Sequence, residues 1–219
     1  AEKMKVGTCL NPLHTALAVY GCLLGYTSIA AEMGDADLKA LVEHIAAESL
    51  PVVEDPGILS PRAFIDEVLH ERFPNPAIPD TPQRIAADTS QKLPVRYGGT
   101  LRRYARQSEQ ALAGLEFAPL VFAGWCRYLL GVDDRGNAMP VSPDPMLPQL
   151  QAHLKGIEVG RPDSLAGQLR PILSNAALFG VDLYAAGLGE RTEEMFRDML
   201  AGPGAVRATL HRNCVCKQP

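Results

Sequence analysis

The chain carries no charged side chain from Val6 to Ala31, and this run most constrains the fold. It is long enough to cross a bilayer, but it includes Asn11, His14 and Thr27, polar side chains that are costly to bury in lipid. It is also too polar for the apolar region of a signal peptide, and no clear cleavage site ends it. The run therefore predicts a helix buried in a protein core.

Helix-start signals recur along the chain. Asn11-Pro12 predicts a helix that Asn11 caps and that continues to about Met33, before Gly34. Asp35 and Ser60-Pro61 predict the starts of two more helices, each with apolar residues at helical spacing. Their apolar faces are Leu38, Leu41, Val42, Ile45 and Ala46, and Phe64, Ile65, Val68 and Leu69.

The rest of the chain also favours helices. Residues 73–82 hold four prolines and predict an extended connection. Helices are expected over 82–91, from Leu93 to Arg106, over 109–131 whole or broken at Pro119, and around 149–155, 163–176, 191–201 and 204–212. Residues 132–148 are rich in turn formers and predict a surface loop. Strand alternation is almost absent, with Val52-Val53 as its one short candidate, so we expect one mainly α domain of about ten helices around the first.

Composition narrows the classes of partner. A net charge of −4 and a pI near 5.7 argue against nucleic acid and anionic membranes. One basic group, Arg96, Arg102, Arg103 and Arg106, predicts a solvated helix face. The five cysteines are scattered, which suits free thiols in a reducing cytoplasm. His211, Cys214 and Cys216 lack a second cysteine pair to complete a zinc site, so no metal is expected.

The polar residues that could carry chemistry begin near the N-terminus. Asn11 and His14 are three apart and lie on one face of a helical turn, with Lys3 and Lys5 just before them. In the structural interpretation, Asn11 caps its helix and His14 is a core histidine. In the functional one, the helix N-terminus keeps His14 neutral, so that it and Asn11 bind one substrate oxygen. A desolvated lysine nearby would be a general base.

A second polar cluster follows the proline-rich connection. Arg84, Asp88 and Lys92 are spaced to share one stripe of one helix, with Gln91 beside them. Asp88 could link the two cations by weak surface ion pairs, or the cations could bind hydroxyls or a carboxylate of a polar substrate. The sequence has no glycine-rich phosphate loop, since the Gly187-Leu-Gly segment lacks the third glycine and a preceding strand. This segment predicts a helix stop instead.

Two segments together resemble the mannitol dehydrogenase family of polyol and uronate dehydrogenases: CLNPLHTALAVYGCLLGY (Cys9–Tyr26) and NPAIPDTPQRIAADTSQKLPVR (Asn75–Arg96). A weaker match continues through GVDLYAAGLGE and GPGAVRATL to the C-terminus. The similarity covers essentially residues 1–219, as that family's C-terminal domain. It implies a multi-helical fold like the C-terminal domain of 6-phosphogluconate dehydrogenase. The chain also opens on Ala-Glu, as expected of a piece of a longer protein.

The resemblance implies a zinc-independent enzyme whose N-terminal Rossmann domain, outside this chain, binds NAD or NADP. It implies that Asn11 and His14 bind the reacting oxygen. Arg84 and Lys92 would bind the far end of a sugar acid or polyol. The family spacing would put the catalytic lysine at Val6, so one extra residue is present. Lys5 is the first candidate and Lys3 the second, and a local bulge would absorb the extra residue.

The implied substrate pair is D-fructuronate and D-mannonate, with D-fructose and D-mannitol as the alternative. A different class of function, a non-catalytic helical binding or oligomerisation module, stays open. That class predicts that Lys5, Asn11, His14, Arg84 and Lys92 are dispersed, whereas catalysis needs them in one cleft.

Overall fold

The uncharged run folds as a π-helical segment and two α-helices rather than as one helix. The computed structural model describes residues 3–216, beginning with a π-helical segment, Lys3–Leu10, that leads directly into α1, Asn11–Leu24. Gly25 ends α1 because it adopts a left-handed conformation (φ 82°), which glycine tolerates best. A single-turn helix, α2 (Ile29–Glu32), follows. The predicted end near Met33 is therefore wrong, because Gly25 ends α1 first.

The next two predicted helix starts are confirmed. Helix α3, Ala36–Ser49, begins after Asp35, whose carboxylate accepts hydrogen bonds from the backbone N–H groups of Asp37 and Leu38. Helix α4, Pro61–Glu67, begins after Ser60 and continues as a π-helical segment, Val68–Arg72. All the residues of the two predicted apolar faces are buried. The Val52-Val53 strand candidate is wrong, since Leu50–Val52 is a short 3-10 helix.

The region after the proline-rich connection is more broken than expected. Helix α5 covers only Pro82–Ile85, and α6, Thr89–Arg96, starts after Asp88, which is left-handed at φ 56°. The expected helix over 82–91 is therefore wrong. Pro94 lies inside α6, and α7, Gly98–Gln107, begins directly after Tyr97. Residues 73–81 are non-helical, as predicted.

Seven further helices complete the described chain. The segment over 109–131 is broken at Gly114–Glu116 rather than at Pro119, which lies in the first turn of the second helix. Residues 132–146 form the expected loop, and the predicted helix over 163–176 is instead a 3-10 turn and two single-turn helices. The bounds are α8 Glu109–Ala113, α9 Phe117–Tyr128, α10 Leu147–His153, α11 Arg170–Leu173, α12 Ala176–Phe179, α13 Gly189–Met199 and α14 Ala205–Cys214.

Helix α1 is the centre of the packing. It contacts α3, α5 and α9, and nearly all its residues from Pro12 to Leu23 are buried. One hydrophobic core runs from the π-helical segment to α14. Within residues 3–216 there is no β-strand, only two isolated bridges, and no helix there is both long and apolar enough to cross a membrane. The expected mainly α fold around the first helix is confirmed, with fourteen α-helices in the described residues.

Candidate active site

His14 lies on α1 where this helix meets the proline-rich connection. Its side chain is 15% exposed and its ring stacks on Phe73, with centroids 5.3 Å apart. The buried Nε2 atom has no hydrogen-bond partner in the described structure, and the nearest carboxylate oxygen, Asp80 Oδ2, is 3.5 Å away. A buried polar atom without a partner is costly in a fold, so its retention points to a ligand that completes it.

His14 is neutral over the physiological range. Burial lowers its pKa to about 4; the nearby carboxylate of Asp80 acts to raise it, and Arg96, Arg72 and Arg84 act to lower it. The predicted neutral imidazole is confirmed, but its main cause is burial rather than a free helix N-terminus. The π-helical segment continues the helical backbone N-terminal to α1, so His14 is not at an open helix end.

Asn11 is the first residue of α1 and does not cap it. The capping position belongs to Leu10, with helical dihedrals and no side-chain cap, so the predicted capping role is wrong. The Asn11 side chain makes no hydrogen bond within residues 3–216. Its carbonyl oxygen accepts from the Thr15 hydroxyl at 3.0 Å, and Arg96 donates to that hydroxyl at 2.6 Å. The amide of Asn11 is thus available one turn from His14.

Asp80 connects the two predicted polar clusters. Its Oδ1 accepts a charge-assisted hydrogen bond from Arg84 Nη2, while Oδ2 faces His14. Arg84, whose side chain is 68% exposed, is therefore held next to His14. The sequence interpretation missed Asp80. Its only signal is its position just before Thr81, the residue that caps α5.

Lys92 and Arg84 lie on different helices, contrary to the single stripe expected. The left-handed Asp88 separates α5 from α6, and within the described residues it forms no ion pair with either cation. Lys92 Nζ instead donates to the Ile85 carbonyl at 2.8 Å. Burial lowers the pKa of Lys92, and the positive charges of Arg96 and Arg84 lower it further. Lys92, Arg84, Arg96 and His14 thus share one electrostatic environment.

Lys5 lies in the π-helical segment, half-buried, with Nζ 5.6 Å from the centroid of the Phe64 ring. It makes no hydrogen bond or ion pair within residues 3–216. A π-helix bonds residue i to i+5 and so holds one more residue per turn than an α-helix. The Lys3 side chain lies outside the described part of the chain.

The remaining sequence predictions concern the glycine segment near α13, the cysteines and a metal site. Gly187 lies just before α13 and Gly189 is its first residue, so neither is at a helix stop, and methyl groups there would meet Ala113 and the Tyr184 ring. No phosphate group fits in space that protein already fills. All five cysteines are free. His211 contacts Asp37 at 2.8 Å, and residues 3–216 contain no group of three or more side chains arranged to hold a metal.

Two of the four arginines expected on a solvated face, Arg102 and Arg106, are exposed as expected, and all four line an open cavity of about 630 Å³. Arg96 ends α6, whereas Arg102, Arg103 and Arg106 lie on α7.

Comparisons with known proteins agree with this fold. The profile of the mannitol dehydrogenase C-terminal domain matches residues 2–194. D-mannonate oxidoreductase of Thermotoga maritima is 56% identical over 96% of this chain. Mannitol 2-dehydrogenase of Emericella nidulans is 36% identical over 83% of it. The structure of Pseudomonas fluorescens mannitol 2-dehydrogenase, a ternary complex with NAD and D-mannitol, superposes over the whole chain with a TM-score of 0.81 and 27% identity.

The chain belongs to the mannitol dehydrogenase family, and the part that it represents is the C-terminal domain of that family. It spans 39% of the Thermotoga relative, 34% of the Emericella relative and 41% of the Pseudomonas structure.

Proposed function

We propose that this chain is the substrate-binding and catalytic domain of an NAD(P)-dependent dehydrogenase that interconverts D-fructuronate and D-mannonate. The observation that carries the proposal is His14: buried, neutral and with Nε2 unpartnered, one helical turn from the free amide of Asn11. The similarity to the Thermotoga D-mannonate oxidoreductase supports the choice of substrate.

Asn11 and His14 would bind the reacting oxygen. A neutral imidazole with its proton on Nε2 donates one hydrogen bond, and the Asn11 amide donates another to the alkoxide that develops in the transition state. The Asp80 carboxylate favours that tautomer, because its negative charge repels a lone pair at Nε2. The donors would be held in place by the α1 backbone and by the stacking on Phe73.

Lys5 would transfer the proton to and from that oxygen. The π-helical segment supports this assignment over the family position at Val6, since its wider turn absorbs the one extra residue. The Val6 side chain is exposed, at 44%, and has no titratable group. Lys3 remains the second candidate.

Arg84 and Lys92 would bind the far end of the substrate. Two cations suit a carboxylate, which favours a uronate over a substrate with a primary alcohol there. Asp80 would hold Arg84 toward the substrate through its ion pair. The interconversion of D-fructose and D-mannitol is the second candidate, supported by the Emericella relative and the superposable Pseudomonas structure.

The nicotinamide cofactor, when bound, supplies the hydride for the ketone carbon. An N-terminal Rossmann domain outside the 219 residues would hold most of it, since Gly187 and Gly189 are packed against protein and form no phosphate loop. NAD is favoured by the NAD complex of the Pseudomonas relative, with NADP as the alternative. The working enzyme would be cytoplasmic and metal-independent, and residues 1–219 would be inactive alone.

A non-catalytic helical module is the rival function. It requires that the polar residues be dispersed. Instead, His14 and Arg84 both lie next to the Asp80 carboxylate, and the charges of Arg84 and Arg96 lower the pKa of Lys92. Three of the five residues are thus grouped, which favours a substrate site.

The test is the oxidation of NADH and NADPH by the full-length protein with D-fructuronate, D-tagaturonate or D-fructose. We expect rapid turnover of D-fructuronate. Preference for D-fructose would move the protein to the mannitol reaction with the same catalytic residues. No turnover with any of the three, by a folded full-length protein, would contradict the proposed function.

A further inference from the structure

The arginine groove is the cavity lined by Arg96, Arg102, Arg103 and Arg106 together with Gly7, Thr8, Glu54, Pro94, Val95, Gly99 and Thr100. Its volume, about 630 Å³, is that of a small-molecule site. One wall is the π-helical segment that carries Lys5. The groove contains none of the five residues assigned above to the substrate.

Positive charge in the groove is not neutralised by the protein. Four guanidinium groups share a single carboxylate, that of Glu54, which is 79% exposed and pairs with Arg103 at 2.9 Å. Arg102 has only a 3.5 Å contact with the Gly180 carbonyl, and Arg106 has no partner within residues 3–216. This excess stands out in a chain of net charge −4. Guanidinium groups suit phosphate oxygens, which they bind in pairs of hydrogen bonds.

Two glycines in the walls of the groove have no packing reason to be glycine. A methyl group at Gly7 or at Gly99 would meet no atom within 4 Å, and neither residue has a positive φ. Both lie in helical segments, where alanine is the more stable residue. Glycine at such positions keeps the backbone open to close approach by something outside the chain.

The groove and the candidate active site share a boundary. Arg96 lines the groove, donates to the Thr15 hydroxyl one residue from His14, and lowers the pKa of His14. Gly7 and Thr8 lie between Lys5 and Asn11 along the chain. A molecule that reacts beside Lys5 could therefore extend an anionic part into the groove.

We propose that the arginine groove binds a phosphate or diphosphate group of a small molecule. The diphosphate of the nicotinamide cofactor is one source of this chemistry, and that source rests on the proposed function. The anion site itself rests on the charge, the volume and the two open glycines. A free phosphate compound is the other source of the same chemistry.

The first test is calorimetric titration of the 219-residue chain with inorganic pyrophosphate. We expect saturable binding that weakens at least about tenfold in the double variant Arg103→Ala/Arg106→Ala, because each guanidinium removed takes away charge-assisted hydrogen bonds. Arg197→Ala is the matched control, since Arg197 is exposed on α13, outside the groove, and should leave binding unchanged. Gly99→Ala should weaken binding while the Tm stays equal or rises.

The second arm distinguishes the sources. In the full-length enzyme, a KM for the cofactor raised about tenfold by Arg103→Ala/Arg106→Ala, with a nearly unchanged KM for the ketose, would identify the cofactor as the source. An unchanged cofactor KM with arginine-dependent pyrophosphate binding would keep the anion site and assign it to a free phosphate compound. A wild-type chain that binds no pyrophosphate, with no change in cofactor KM in the double variant, would overturn the proposal. Absence of all turnover would contradict the proposed function. The titration would still show whether the groove binds an anion.

Discussion

Glu32, in α2, is a buried carboxyl group beside α1. It has no accessible surface, and neither of its oxygens has a hydrogen-bond partner within residues 3–216. Gly21 makes room for it, because a methyl group at that position would overlap the carboxyl. Burial raises the pKa of Glu32 to about 10, and the negative charge of Asp35 adds to the increase. The folded chain therefore keeps this group protonated at neutral pH.

This raised pKa predicts a loss of stability as pH rises. Above pH 4.5 the unfolded chain ionises Glu32 while the folded chain keeps its proton, so folding costs about 1.4 kcal/mol more per pH unit up to about pH 10. Glu32→Gln removes that cost. We expect the free energy of unfolding of the variant, relative to wild type, to increase between pH 5 and pH 8 by on the order of 4 kcal/mol.

Urea unfolding of both chains at pH 5, 6, 7 and 8 measures this difference. All other titrating groups are common to the two chains and cancel in the comparison. A difference that stays constant with pH would show that Glu32 is ionised in the folded state.

At the same scale, the sequence predicted some residues of the candidate site and missed others. Asn11 and His14 follow from their spacing on one helical turn, and the neutral state of His14 was predicted for a helix-end reason when burial is the main cause. Asp80 was missed because its role arises from proximity to His14, which only the folded connection creates. A single sequence does not contain that contact.

At the scale of elements, the contact between α1 and α9 depends on Gly124. The buried Tyr20 ring of α1 lies where a side chain at Gly124 would project, and its hydroxyl donates to the Leu120 carbonyl at 2.5 Å. The ring is held on all sides and cannot move aside cheaply. The glycine is therefore required by packing, since its φ is not positive.

Gly124→Ala should destabilise the fold by about 1–2 kcal/mol, because overlap with a buried ring costs more than the roughly 1 kcal/mol that alanine gains in a helix. Chemical denaturation at pH 7 measures the change. Gly99→Ala in α7 is the matched control, because a methyl group there meets open space. Equal stability changes in the two variants would contradict the packing account.

Helix starts were predictable where the cap is local and unpredictable where it is not. Asp35 and Ser60 bond to backbone groups two or three residues away, so their signals lie in the sequence. The break at Asp88 depends on distant partners: its N–H donates to the Pro143 carbonyl, and Ser90 donates to Asp144. Helical spacing alone predicted one continuous helix there, because tertiary contacts overrode it.

At the scale of the whole molecule, the proposed function makes the chain a catalytic surface that works with a nucleotide-binding domain outside it. It spans 39% of the length of the Thermotoga relative, and its polar cluster and arginine groove lie next to each other around the π-helical segment and α1. The central claim is that the proton transfer belongs to this helical domain, at Lys5. Lys3, two residues earlier, provides the natural comparison.

The measurement that tests this claim most directly is the steady-state kcat of the full-length enzyme carrying Lys5→Ala, beside Lys3→Ala, with D-fructuronate and saturating cofactor. Loss of a general acid typically lowers kcat by roughly 10²–10⁴-fold. The account predicts such a loss for Lys5→Ala, with Lys3→Ala close to wild type and the Tm of both preserved. Near-normal turnover by Lys5→Ala, or the large loss in Lys3→Ala instead, would contradict it.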